Sequence, residues 1–183
     1  FRTASQLEAD GASFDPVTQT WAVNDLLFVP LFDAKMAQQY NHRAAELGAS
    51  GHQFRKVSKD SSSIEDLSDP FYMPSPLFWV SASEVKARLP DWPCGWLLGF
   101  KDITGTTSTS IGSFAMVPRV GVGNSFPLVF ADSNRCGGAK GYAMLLANFN
   151  ALITEYFLRN KVQGLHLNYF YLKQIPVVLP ITY

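Results

Sequence analysis

One helix-period stretch near the end of the chain constrains the fold more than any other feature. From Ala143 to Val162 the sequence AMLLANFNALITEYFLRNKV repeats apolar residues every three or four positions, the spacing of a single buried helix face. A helix from about 141 to 161, with Leu152, Ile153, Tyr156 and Phe157 on its apolar side, needs a sheet to lie against. The middle of the chain supplies strand material. Residues 95–104, 111–118 and 126–130 are rich in Trp, Leu, Phe, Val and Ile and are separated by clusters of Gly, Ser, Thr and Asn.

Shorter elements precede them. Leu26 to Leu31 reads as a strand stopped by Pro30, and Asp33 to Tyr40 is compatible with a helix. Pro76 to Val80 reads as a strand. Ser81 and Glu84 then carry a capping-box pattern for a helix through about Leu89, ended by Pro90. Residues 1–20 are polar and turn-rich and read as a mobile start, and residues 44–70 as a long exposed connection. In the tail, Gly164 is expected to be the left-handed helix stop and Asn168 the cap of a final turn. Leu165, Leu167, Tyr169, Phe170 and Leu172 are expected in the core. The expectation is one α+β domain over 1–183: a twisted, mostly antiparallel or mixed sheet packed by one long C-terminal helix and short helices.

Composition narrows the function classes. The apolar fraction of 47% against 16% charged residues fits a folded globular domain. No apolar run approaches the roughly 18 residues of a membrane span, and no signal-peptide pattern begins the chain, which points to a cytoplasmic protein. Because Phe1 is not an initiator methionine, the chain reads as a piece of a longer polypeptide. Cys94 and Cys136 lack zinc-site spacing and are expected as reduced thiols. Fifteen cations balance fifteen carboxylates, but unevenly. Segments 35–59 and 133–183 each hold five Lys or Arg against one Glu, which can form a basic face if the fold joins them.

Catalytic patterns are absent. Ser68-Asp69-Pro70-Phe71-Tyr72 lacks the second proline of an amino-methyltransferase loop and reads as a turn. Gly121-Val122-Gly123 is a truncated dinucleotide fingerprint, expected as a hairpin turn. Gly137 to Gly141 is a helix entry whose free N–H groups, with Lys140, could instead hold a phosphate. His42, His52 and His166 have no paired metal-ligand spacing, no nucleophile motif occurs, and Glu84-Val85-Lys86 falls on a helix, not on a nuclease strand. What remains is recognition chemistry. The turn Thr104 to Ser110, including Thr106, offers hydroxyls and a close backbone, as a DNA contact or as a solvated tip. Lys101 and Arg119 can face DNA or make surface ion pairs. Lys161 and His166 are the exposed candidates in the tail.

Several of these segments, in order, resemble a known kind of DNA reader. Pro30-Leu31-Phe32-Asp33-Ala34-Lys35-Met36 followed by Asn41-His42-Arg43 is similar to a Pro-Leu-Tyr-Glu-Gly-Lys-Met segment followed by a polar residue, His and Arg. Trp96-Leu97-Leu98-Gly99-Phe100-Lys101-Asp102-Ile103, then Val117-Pro118-Arg119, then Gly121-Val122-Gly123-Asn124 continues the pattern, with Lys101 in place of Arg. Gly164-Leu165-His166-Leu167-Asn168 and Gln174-Ile175-Pro176 close it. The order resembles the C-terminal target-recognition region of type IIG restriction-modification adenine-N6 DNA methyltransferases and, distantly, the recognition domains of type I specificity subunits. The resemblance implies sequence-specific recognition of double-stranded DNA by a piece that is not itself an enzyme. The methyltransferase domain of the same polypeptide, with its S-adenosylmethionine, would lie outside this chain, which itself holds no cofactor or metal. It also implies DNA contacts from Lys35, His42 and Arg43. The alternative expectation is a protein-interaction module of a restriction or phage-defence complex.

Overall fold

The computed structural model describes residues 1–49, 57–105, 108–131 and 138–178. It is a mixed α+β arrangement. The N-terminal sheet runs β1 (Ser13–Asp15), β2 (Thr20–Val23), β3 (Leu26–Phe32) and β6 (Trp79–Ser81), all antiparallel, with β9 (Gly121–Val122) added parallel to the end of β3. β4 (Ala45–Ala49) pairs with β5 (Val57–Ser61), and β7 (Trp96–Phe100) with β8 (Phe114–Pro118). The helices are α1 (Ala4–Ala9), α2 (Ile64–Ser68), α3 (Ala82–Arg88), α4 (Gly138–Phe149), α5 (Leu152–Lys161) and α6 (Tyr169–Leu172).

The start of the chain is folded where a mobile terminus was expected. Thr3 and Gln6 form a reciprocal capping box on α1, and Leu7 is fully buried against Trp21 and Trp79. Two tight turns make the β1–β2–β3 ladder. Asp15 accepts from the Val17 N–H and the Thr18 hydroxyl at 2.9 and 2.7 Å, and Asn24 and Asp25 both take positive φ (46° and 63°) between the paired residues Val23 and Leu26. Asn and Asp are the non-glycine residues that best tolerate that two-residue hairpin turn.

The β7–β8 pair is the central layer, because its alternation buries both faces. Leu98 and Phe100, paired with Met116 and Phe114, face a core built with Tyr142, Phe149, Leu158 and Leu167. Leu97, Ala115 and Val117 face Phe32, Met36 and Phe126 on the other side. Residues 125–129 run along the free edge of β7, with Phe100 N–H bonding Pro127 O and Val129 N–H bonding Leu98 O at 3.0 and 2.8 Å. Gly99 permits that approach, since a Cβ there would sit 2.3 Å from Phe126 Cε1.

Pro30 does not stop its strand: β3 continues to Phe32, and Pro30 pairs with Trp79. Only Ala34–Met36 is helical after it, as one 3-10 turn. Within segment 44–70, Ala45–Ala49 and Val57–Ser61 pair as β4 and β5 and Ile64–Ser68 forms α2 instead of a bare connection; residues 50–56 lie outside the described ones. Gly121–Val122 is a strand against Leu31 and Phe32, not a hairpin turn. Ser81 precedes α3 without a side-chain cap; its hydroxyl bonds Ser83, and Glu84 pairs with Arg88 one turn on.

The long C-terminal helix is two helices. Asn150 and Ala151 break it, with Ala151 extended (φ −70°, ψ 149°). The Asn150 amide is fully engaged by the edge of β8, accepting from Phe114 N–H (3.1 Å) and donating to Phe114 O (2.8 Å), as a strand neighbour would. Its own carbonyl accepts from Gln39 Nε2 at 2.7 Å. Past the break the buried positions are Thr154 and Leu158, with Phe157 partly packed. The expected face of Leu152, Ile153 and Tyr156 is instead exposed, at 84%, 67% and 67%. In the tail Leu167 and Leu172 are core as expected, whereas Leu165, Tyr169 and Phe170 are exposed. Gly164 does not take positive φ; α5 ends at Val162 in extended geometry.

Candidate nucleic-acid interface

α5 positions the turn after β7. The Glu155 carboxylate, 15% exposed, accepts from Ile111 N–H (2.9 and 3.0 Å), Gly112 N–H (3.0 Å) and the Ser110 hydroxyl (3.0 Å). Arg159, one turn further along the same helix face, donates from Nε to Glu155 at 2.7 Å and from Nη2 to the carbonyls of Ser108 and Thr109 at 3.1 and 2.8 Å. The acid thus gathers backbone donors and the base gathers backbone acceptors. The described part of the turn is fixed from beneath at both its centre and its exit. At its entry, the Thr104 hydroxyl donates to Ser110 O at 3.4 Å.

The tail closes the other side. Thr104 N–H bonds Leu165 O (2.9 Å), Leu167 N–H bonds Asp102 O (2.7 Å), and Ile103 bridges His166. These contacts bring His166 Nδ1 to 3.0 Å from Asp102 Oδ2, with the imidazole mostly exposed. Lys161, at the end of α5, holds its ammonium 5.7 Å from the Phe157 ring centroid and complements the C-terminal end of the helix dipole. Lys101, half-exposed, leads into the same segment, its backbone N–H on Ser113 O at 2.9 Å. The result is a surface made of Lys101 to Ile103, Ser108 to Ser110, the outer end of α5, Leu165 and His166, in which the exposed Ile103 and Leu165 side chains lie among the polar groups. Asp102 and Glu155 each offset one basic group, so the surface is only mildly basic.

The other expected contacts are placed elsewhere. Arg43 is a structural clasp: Nη1 donates to Asp69 O (2.7 Å) and Tyr72 O (3.1 Å), Nη2 to Leu67 O (3.2 Å), and the guanidinium lies 6.0 Å from the Tyr72 ring centroid. It closes α2 and the Asp69–Tyr72 turn. His42 is half-buried beside it, and that burial, then the Arg43 charge, hold its pKa below the ordinary imidazole value. Arg119 donates from Nη2 to Leu89 O at 2.9 Å, at the end of α3. Lys35 is exposed on the 3-10 turn and Lys140 is exposed in the first turn of α4. Thr106 and Cys136 lie outside the described residues; Cys94 is a free, half-buried thiol.

Glu155 and Arg159 were not singled out from sequence as site residues. Their i,i+4 spacing signals a helix-surface ion pair, but nothing local reveals that both reach a turn more than forty residues earlier. No helix among the described residues is long and apolar enough to cross a membrane. Comparison of the chain with protein-family models, with curated proteins and with solved structures returned no match.

Proposed function

We propose that this chain is a DNA target-recognition element that presents the turn after β7 to a duplex, for adenine-N6 methylation by a catalytic domain, with its own S-adenosylmethionine, elsewhere in the same full-length polypeptide. One observation carries the reading: the Glu155 and Arg159 clamp holds a hydroxyl-bearing turn rigid between Lys101, Lys161 and His166. Recognition needs polar groups fixed to within a fraction of an ångström on rigid elements. The Ser108 and Thr109 hydroxyls would meet base edges or phosphates, while Lys161 and Lys101 would meet phosphates. Arg43 and Arg119 serve the fold in this reading, leaving Lys35 and Lys140 as peripheral phosphate contacts.

The test is selection of the purified chain on a randomised duplex library at low salt, followed by salt titration of the enriched sequence. One enriched motif is expected, with affinity falling steeply in salt. K161A and K101A should each lower the slope of log affinity against log salt by about 1. Absence of any salt-dependent binding by the folded chain would remove the proposal. A second reading, a protein-docking module, is favoured by the exposed Leu152, Ile153 and Tyr156 on α5. It predicts that Tyr156→Ser abolishes capture of a partner subunit and leaves DNA binding unchanged.

A further inference from the structure

A cleft of about 610 Å³ lies away from that surface, between the N-terminal sheet, α3 and the segment after β9. Its walls are apolar: Phe28 and Leu31 of β3, Val80 of β6, Val122 of β9, and Leu128. Leu97 and Trp79, both buried, form part of the lining. Gly121 sets one wall, since a Cβ there would come within 2.4 Å of Val80 Cγ2. The charged side chains along the cleft are Arg2, Arg88 and Glu84. Glu84 is the one carboxylate in the lining, and Asp10 pairs with Arg2 from outside it.

Both guanidiniums are weakly committed. Arg2 pairs with Asp10 at 3.4 Å with both partners about half-exposed, and Arg88 pairs with Glu84 at the cleft with both side chains largely exposed. Exposed pairs of this kind contribute little, so a carboxylate delivered on an apolar body that fills the cleft can displace them. Clefts of this size with apolar walls and few polar groups are where small molecules bind. We propose that this cleft binds a small amphipathic monocarboxylate, its apolar ring or chain against Leu31, Val80 and Leu128 and its carboxylate at Arg88 and Arg2. Val85, which lines the cleft from α3, controls the space available.

Calorimetric titration with 2-naphthoate and with neutral 2-naphthalenemethanol tests this. The acid should bind roughly tenfold tighter than the alcohol, the margin of about one charge-assisted hydrogen bond. R88Q, an exposed helix change that leaves the fold intact, should erase most of that margin. V85W should abolish binding of both probes while leaving DNA selection as in the parent chain. Equal binding of acid and alcohol, no binding of either, or naphthoate binding unaffected by V85W in a chain that melts normally would each overturn the proposal.

Discussion

Replacing Glu155 with Ala tests whether the turn after β7 is held by α5 or merely rests near it. The carboxylate has four partners, and they do not lose equally. Arg159 is substantially exposed and regains water, and the Ser110 hydroxyl keeps its 2.6 Å bond to Gly112 O. The loss falls on the N–H groups of Ile111 and Gly112, both buried residues. An unsatisfied buried donor costs about 1–3 kcal/mol. Partial access of water through the space left by a side chain already 15% exposed sets the total at about 2–4 kcal/mol. For a chain of this size that is a fall in melting temperature of about 5–15 °C. Glu155→Gln keeps one accepting oxygen but no charge, and should lose about half as much. Thermal melts by circular dichroism and amide exchange at Ile111 and Gly112 measure both parts. If E155A melts within about 2 °C of the parent and those two amides exchange no faster, the clamp is not structural, and the proposed rigid reading surface goes with it.

Gly99→Ala should destabilise by about 2–4 kcal/mol, because its Cβ would collide with the Phe126 ring and come within 2.9 Å of Pro127 O; denaturant titration that finds a midpoint equal to the parent's would show that residues 125–129 do not lie on β7. Arg43→Ala should cost about 2–3 kcal/mol by freeing three carbonyls, yet leave the DNA affinity of the folded chain unchanged, and a lost affinity at full stability would return Arg43 to the interface. The lowered pKa of His42 gives a pH dependence with a definite sign. In the window below about pH 6.5 the unfolded chain takes up a proton that the folded chain resists, so stability is fully present above that value and falls as pH drops through the window. Melts across pH 5 to 7.5 should show less of this slope in His42→Gln, and an identical slope in both proteins would exclude His42 as its source.

Legibility in the sequence followed how local the determining contacts are. The β7–β8 pair could be read because Trp96 to Phe100 and Phe114 to Val117 are apolar at every position, as a layer buried on both faces must be. Asn168 was legible as a cap, and its side chain does accept from Phe170 N–H at 3.0 Å. The N-terminal hairpin escaped because β1 is exposed at all three positions and has no alternation to detect. Asn24-Asp25 did carry a turn signal next to it. Gly121–Val122 could not be read as a strand at all: two residues become one only through a partner, Leu31–Phe32, ninety positions away. Of the site candidates, Lys161 and His166 lie on the clamped surface and Lys101 leads into it, whereas Arg43 and Arg119 had carbonyls to satisfy that no spacing rule reveals.

The broken C-terminal helix explains why the apolar period misled and what the break accomplishes. Tyr142, Leu145, Leu146 and Phe149 face the core from α4. A helix continued in phase would bring 152, 153 and 156 onto the same side three, four and seven residues past Phe149. Burying a Leu or Ile is worth about 1.5–3 kcal/mol, so the continuous helix has a large advantage that the fold gives up. The break turns the face instead to Thr154, Leu158 and Val162, and in that phase Glu155 and Arg159 meet the turn after β7. A continuous helix would carry Glu155 away from Ile111 and Gly112 and leave the Phe114 backbone without Asn150. Asn150→Leu, which removes the strand-like pairing and favours helix, therefore pits the two arrangements against each other. If the break is set by Asn150, the variant should bury Tyr156, seen as protection of its side chain from chemical modification, and should release the Ile111 and Gly112 amides to exchange. A variant that keeps Tyr156 exposed and those amides protected would place the cause of the break in the Glu155 clamp itself.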